Sequence, residues 1–307
     1  MTVRIGHLST LYHTSLLLQA RELAPARLGT EVAWRLFGTG PAIVAAFERG
    51  ELDLAYIGLP PAIVGIARGV PLVCVAGGHV EGTVLAGATR YLGHPELPDL
   101  GAVLRQFAGR AIGVPGTGSI HDVILRDALE RFGLAGQVRV VNYPWADLVT
   151  EAVAAGEVDG AVGTPALAVA IRHFAGGRIL FPPGALWPSN PSCGIVVARP
   201  FLAAGRPLVS RFLALHEEAS AVLRDDPAGA ARDVAAHIGV VDAEFVLETL
   251  RVSPHYCAQL TPEYVGATLA LAAALRRLGY VARDVAADEI FDRTLIDAVH
   301  PEGAHYR

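Results

Sequence analysis

The chain repeats itself. A helix-like run ends in Gly50-Glu51-Leu52-Asp53, a short apolar stretch follows, and Gly58-Leu59-Pro60 closes it. Later, Gly156-Glu157-Val158-Asp159 leads through Ala161-Val162 to Gly163-Thr164-Pro165. The echo extends upstream: Val3-Arg4-Ile5-Gly6 is followed by Ser9, Thr10 and His13, and Arg110-Ala111-Ile112-Gly113 by Gly116-Thr117-Gly118-Ser119 and His121. Two similar α/β units in one chain predict two lobes facing a shared cleft, which is where small ligands usually sit. With 307 residues the chain has length for two lobes of ordinary domain size.

Hydrophobic periodicity and turn residues organise the first unit. Thr2 to Gly6 reads as a strand, His7 to His13 as a polar loop and Thr14 to Leu23 as a helix. Glu31 to Phe37 is a second strand, after which Gly38-Thr39-Gly40-Pro41 opens a helix, Pro41 suiting its first turn. Leu54 to Ile57 and Leu72 to Ala76 complete the strands, with Gly77-Gly78-His79 as a following loop. The second unit has strands at Val84 to Ala88, Ala111 to Val114, Val138 to Val141 and Gly160 to Val162, with helices between them. Such alternation predicts largely parallel sheets with helices on both faces and functional loops at the carboxyl ends of the strands. Residues 1–82 plus 193–307 are expected to form lobe 1 and residues 83–192 lobe 2. From Pro207 onward the pattern is almost wholly helical, punctuated by Pro227, Gly239, Pro254 and Pro262, and is expected to pack on lobe 1 as scaffold. His300 to Arg307 reads as a loosely held tail.

The net charge of −5 and scattered arginines provide no basic stripe for nucleic acid. No apolar stretch approaches the roughly 18 residues a membrane span needs. The chain contains no lysine, which closes any route through a lysine Schiff base. Cys74, Cys193 and Cys257 lack C-x-x-C spacing, so neither a zinc ribbon nor a disulfide framework is expected. No basic, apolar and cleavage regions precede Val3. The expected location is therefore the cytoplasm if Met1 is the native start, and the periplasm or cell surface if an export signal has been trimmed away.

Gly116-Thr117-Gly118-Ser119 before a helix is the sharpest local signal. Free N–H groups and glycine access would suit an anionic ligand group there, with the Thr117 and Ser119 hydroxyls adding bonds; equally, Ser119 could only cap its helix. Ser9 and Thr10 form the matching loop. Tyr143 and Trp145 at a strand end, and Tyr12 in the first loop, offer aromatic walls. His7, His13, His79 and His121 fall in or beside the same loops but in no metal-ligand spacing, so neutral hydrogen-bonding or buried roles are expected. Cys193 reads as a small buried residue. Glu51, Asp53, Glu157 and Asp159, at the amino ends of strands, read as turn and capping residues.

The phrase Ala154 to Ala161, the segment Gly113 to Arg126 and the closing Gly-x-Pro loops resemble the substrate-binding proteins of nitrate, sulfonate and taurine ABC transporters, which share a superfamily with thiamine-pyrimidine synthases. That resemblance implies a type II periplasmic-binding-protein fold closing by a hinge, with an ABC permease as partner and no cofactor. It implies a small polar organic ligand, foremost a sulfonate or carboxylate anion, in contact with Ser9, Thr10, Gly38, Thr39, Gly58, Gly78, Thr117, Ser119, Trp145 and Thr164. His13, His79, Gly116, Gly118, His121 and Tyr143 complete the expected ligand-binding set. The second class of reading is a cytoplasmic, cofactor-independent enzyme of the same fold, chorismate-dehydratase-like or pyrimidine-precursor-related; the third is a pyrimidine-precursor binding or sensor protein.

Overall fold

A computed structural model describes residues 2–252 and 255–306. Pro254 and Arg307 lie outside the described residues. Chain order begins with β1 (Thr2–Leu8), α1 (Thr14–Ala20), α2 (Leu23–Leu28), β2 (Glu31–Phe37), α3 (Gly40–Glu48), β3 (Leu54–Ile57), α4 (Leu59–Ala67) and β4 (Leu72–Val80). It continues with β5 (Val84–Ala88), α5 (Leu100–Arg105), β6 (Ala111–Pro115), α6 (Ile120–Arg131), β7 (Arg139–Tyr143), α7 (Ala146–Ala154), β8 (Gly160–Gly163), α8 (Pro165–Phe174), β9 (Gly177–Phe181) and α9 (Pro183–Leu186). The remainder is β10 (Cys193–Ala198), α10 (Arg199–Asp225), α11 (Pro227–Ile238), α12 (Ala243–Val252), β11 (His255–Tyr256), α13 (Pro262–Arg277), α14 (Ala287–Ile290) and α15 (Ile296–Val299).

The strands form a six-stranded sheet, β11-β4-β10-β3-β1-β2, and a five-stranded sheet, β7-β6-β8-β5-β9. Both are mixed. β1 runs parallel to β2 and β3, and β6 parallel to β7 and β8, while β10 and β5 are antiparallel to their neighbours. β5 and β10 each follow a crossing between sheets and so enter their layer from the other side, and β11 is likewise antiparallel to β4. β9 and β11 lacked a legible signal: the first runs straight into Pro182-Pro183-Gly184, and the second is two residues long.

The aspartate of the repeated phrase has the same partners in both units. Asp53 Oδ2 accepts from the backbone N–H of Arg4 at 2.8 Å while its carboxylate pairs with the Arg4 guanidinium at 2.6 Å. Asp159 does the same one unit later, accepting from the Ala111 N–H at 3.3 Å and standing 3.6 Å from the Arg110 guanidinium. These carboxylates therefore pin β1 and β6 beside the strands they precede, which is a correction to the turn-capping role expected for them. Leu52 and Val158 lie over Gly6 and Gly113, where a Cβ would come within 2.8 Å of the Leu52 side chain and 3.3 Å of the Val158 side chain.

Two connections between the sheets run side by side. The Glu81 N–H donates to the Asn190 carbonyl at 3.0 Å, and the Gly82 N–H to Ser192 Oγ at 2.8 Å. α10, which begins at Arg199 and not at Pro207, packs on α1, α2 and β4 of the six-stranded sheet. Other C-terminal helices also reach the five-stranded layer. Arg172 and His173 of α8 pair with Glu248 of α12, and Arg277 at the end of α13 pairs with Asp127 of α6. The C-terminal segment is not a loose tail: His300 is buried, and the Tyr306 hydroxyl donates to the carbonyls of Cys257 and Gln259 at 2.7 and 2.9 Å.

Candidate functional site

Helix starts converge between the sheets. Thr39, Ser119 and Thr164 are the N-caps of α3, α6 and α8, and their hydroxyls accept from the N–H groups of Ala42, Asp122 and Leu167 at 3.4, 3.2 and 3.1 Å. Gly58 and His13 occupy the equivalent positions of α4 and α1 without a side-chain cap. All five line one cavity of about 800 Å³. Ser or Thr was selected by its short oxygen-bearing side chain, which satisfies one orphan amide at a helix start. A hydroxyl accepting in this way still has its own proton to give to a ligand.

Of the residues expected from sequence, the cavity brings together Ser9, Thr10, His13, Gly38, Thr39, Gly58, Ser119, His121 and Thr164. Ser192, on a crossing between sheets, joins them, as do Asp147 and Glu151 of α7. Thr10 is the most suggestive: it is buried and its Oγ1 has no hydrogen-bond partner. Apolar residues missed by sequence reasoning supply much of the remaining wall, including Trp34, Leu36, Phe174, Val240 and Phe245. Phe174 is 71% and Val240 84% exposed, an arrangement that leaves large apolar side chains at the mouth. Their one sequence signal was an apolar residue at a helix end or in a loop, where no core demanded it.

The rest of the expected set falls elsewhere. Gly78 and His79 belong to β4, which extends through Val80, so the expected loop there is a strand. A Cβ on Gly78 would meet the Cys193 carbonyl at 3.1 Å, so this glycine serves strand approach. Gly116, Thr117, Tyr143 and Trp145 line a separate shallow groove on the other side of the Gly38-Thr39 turn. Gly118 lines neither space, and its N–H donates to Asp122 Oδ2 at 2.8 Å. The protein's own buried carboxylate thus fills the anion position expected at this loop. Asp122 Oδ1 also accepts from Arg126 Nε at 2.8 Å and Asn142 Nδ2 at 3.1 Å, and its Oδ2 from the Tyr280 hydroxyl. Gly116 and Gly118 adopt φ of +69° and +75°, the left-handed region that a side chain disfavours.

Trp145 and Gly38 instead bring the two layers into contact. A Cβ on Gly38 would lie 2.6 Å from the Pro144 carbonyl and 2.9 Å from the Trp145 ring; one on Gly116 would lie 2.7 Å from Thr39 Cγ2. The loop after β2 therefore meets the loops after β6 and β7 along one margin of the cavity.

The cavity lining contains no arginine among the described residues, and burial disfavours the charged form of His7, His13 and His121. Burial pushes His7 down, pushes His13 well down with help from neighbouring imidazoles, and takes His121 to about 4 against the opposing Asp122 charge. His121 Nδ1 lies 3.0 Å from Thr83 Oγ1. Beneath the floor, His79 is taken to about 3 by burial, and neither of its ring nitrogens has a partner in hydrogen-bond geometry. The donor atoms of His13, His79 and Cys193 lie within 4.8 Å of one another, a cluster that could hold a metal ion. Burial raises the Cys193 thiol, the reverse of what activates a nucleophile.

Two mixed α/β sheets with paired crossings and helix starts aimed into the space between them define a periplasmic-binding-protein-like fold. The chain belongs to the NMT1-like family, whose model matches residues 1–239. It is 28% identical over 142 residues to the taurine-binding periplasmic protein of Escherichia coli strain K12, an alignment covering 45% of this chain and 41% of that protein. The match thus spans less than half the length of that relative. Among solved structures, the alkanesulfonate-binding protein SsuA from Xanthomonas axonopodis pv. citri bound to MOPS superposes with a TM-score of 0.78 at 20% identity, covering 94% of this chain and 98% of that one. The periplasmic aliphatic sulphonate binding protein SsuA from Escherichia coli gives a TM-score of 0.78 at 20% identity, covering 95% and 92%. The periplasmic nitrate-binding protein NrtA from Synechocystis PCC 6803 gives 0.78 at 13% identity, covering 98% and 88%. At these identities the superpositions establish the fold. No helix among the described residues is long and apolar enough to cross a membrane.

Proposed function

We propose that this chain is the solute-binding component of an ABC-type uptake system and that its cavity takes a small organic acid with an apolar body and a sulfonate or carboxylate head. The observation that carries this reading is the convergence of the α3, α4, α6 and α8 starts on one cavity without an arginine. Helix starts favour negative charge by roughly 0.3–2 kcal/mol each where partly buried. Thr10, Ser119 and Thr164 provide hydroxyl protons, so the head group is held by dispersed neutral donors and not by a bidentate clamp. Leu36, Phe174 and Val240 suit the apolar body, which an inorganic oxyanion lacks. The relatives' taurine and sulfonate binding supports the same ligand class.

In this proposal the lobes are residues 1–82 with 193–307 and residues 83–192, and they close by bending at the paired crossings. Turnover has less support, because the Cys193 thiol is raised and the cavity histidines are desolvated. The test is a thermal-shift and calorimetric screen of the full chain against alkyl and aryl sulfonates, carboxylates, inorganic oxyanions and pyrimidines. Organic acids are expected to raise the melting temperature, since a ligand at 100 times its Kd adds about 2.7 kcal/mol to the folded state. A response to pyrimidines alone would reject the organic-acid reading, and nitrate or sulfate binding as tightly as organic acids would reject the apolar subsite.

A further inference from the structure

The end of the chain brings a second group of donors together, behind the cleft. Cys257 follows the short strand β11, while His300 and His305 lie in the C-terminal segment after α15. Cys257 Sγ stands 3.6 Å from His300 Nε2, which stands 3.1 Å from His305 Nδ1, and all three donor atoms lie within 4.8 Å of one another. We propose that Cys257, His300 and His305 bind one Zn²⁺, with the Glu217 carboxylate at its fourth position.

The geometry fits the ion. Tetrahedral zinc with bonds of about 2.3 Å to sulfur and 2.0–2.1 Å to nitrogen separates its ligand atoms by roughly 3.3–3.6 Å. The separations of 3.6 and 3.1 Å bracket that range before any metal draws the donors together. Glu217 Oε1 is 3.7 Å from His300 Nε2 and 3.5 Å from His305 Nδ1. Arg224 Nη2 donates to that oxygen and the Ala258 N–H to the other, each at 2.8 Å, so the carboxylate is oriented before the ion arrives.

The surroundings fit as well. Cys257 Sγ accepts from the backbone N–H groups of His305 at 3.3 Å and Gln259 at 3.4 Å, which would support the thiolate a metal requires. His300 is fully enclosed, yet its Nδ1 has no partner in hydrogen-bond geometry. Glu302 Oε2 is only 3.2 Å from that nitrogen, so a small rotation would produce the carboxylate–histidine–metal arrangement that fixes a ligating imidazole. A plain histidine–histidine hydrogen bond would explain the 3.1 Å contact, but not the converging thiol and carboxylate. The bound ion would fasten the last residues to α10 and to the chain leaving β11, whose His255 and Tyr256 pair with Val80 and His79 beneath the cavity floor.

The test strips the full chain with a chelator and titrates it with Zn²⁺ and, separately, Co²⁺. One equivalent of Co²⁺ should bind with a thiolate-to-metal charge-transfer band. Cys257→Ser should abolish that band and Cys193→Ser should leave it, which separates this site from the His13, His79 and Cys193 cluster. His305→Ala, at a side chain 42% exposed, should preserve the far-ultraviolet spectrum and lose Zn²⁺ binding. Glu217→Gln should weaken it on the order of 10–100-fold. Failure to bind either ion, a band that survives Cys257→Ser, or undiminished Zn²⁺ affinity in His305→Ala would overturn the site.

Discussion

Thr10 shows at single-residue resolution how the proposed site departs from what folding alone would choose. A buried hydroxyl without a partner costs stability, and Thr10 Oγ1 is in that state while facing the cavity. Thr10→Val is therefore expected to leave the melting temperature unchanged or higher while weakening an organic-acid ligand by about 1–1.5 kcal/mol, roughly tenfold, in calorimetry. A variant that lost stability without losing affinity would place the hydroxyl in the fold and not in the site. Thr10 was legible because it followed a strand in a repeated loop; Phe174 and Val240 were not. Nothing in one sequence distinguishes an exposed apolar side chain at a cavity mouth from a surface residue, because their meaning depends on which distant loops stand opposite.

At the level of elements, the start of α6 shows where sequence reasoning reached its limit. Gly116-Thr117-Gly118-Ser119 predicted both a tight turn and free amides; the turn is present, but Asp122 from the first turn of its own helix occupies the Gly118 amide. A carboxylate that folds back on its own loop has the same local sequence as one that points to solvent. Asp122→Ala should lower the unfolding free energy by about 1–3 kcal/mol in urea titration, since it leaves the buried Gly118 donor unpaired and the partly exposed Arg126 with Asn142 as its remaining partner. Loss below about 1 kcal/mol would mean that the network is solvated. The turn after β2 makes a different prediction. Gly38→Ala should leave secondary structure intact but push the Pro144 carbonyl and Trp145 away, weakening ligand binding through poorer closure. Small-angle scattering of the ligand-saturated variant should then show a larger radius of gyration than the parent; an identical radius would assign Gly38 to local packing.

Across the whole molecule, the buried imidazoles tie folding to pH. In the unfolded chain they take up protons near pH 6.5, whereas in the folded chain His121 does so only near about 4 and His79 near about 3. The unfolded state therefore binds more protons as acidity rises, and the stability these groups contribute is complete above about pH 6.5 and is lost below it. Each should contribute a slope of about 1.4 kcal/mol per pH unit between its two values. Urea unfolding at pH 7 and pH 5 should show the loss, and His79→Phe should make it shallower; equal stability at both values would show that these rings remain hydrated. The two-layer architecture was legible because its strands alternate with helices and the Asp-led strand is said twice. The antiparallel entry of β5 and β10 was not, because direction is decided by which sheet a crossing enters, a property of no local residue.

The crossings themselves limit how such a molecule can move. Glu81 is bonded to Asn190 and Gly82 to Ser192, so neither strap can lengthen or slip without breaking its neighbour's bonds. Bending about the line shared by both straps leaves those bonds intact, whereas sliding one layer past the other does not. In the proposed binding cycle, opening would therefore follow a single swinging coordinate, with a guest entering or leaving on the side away from that axis.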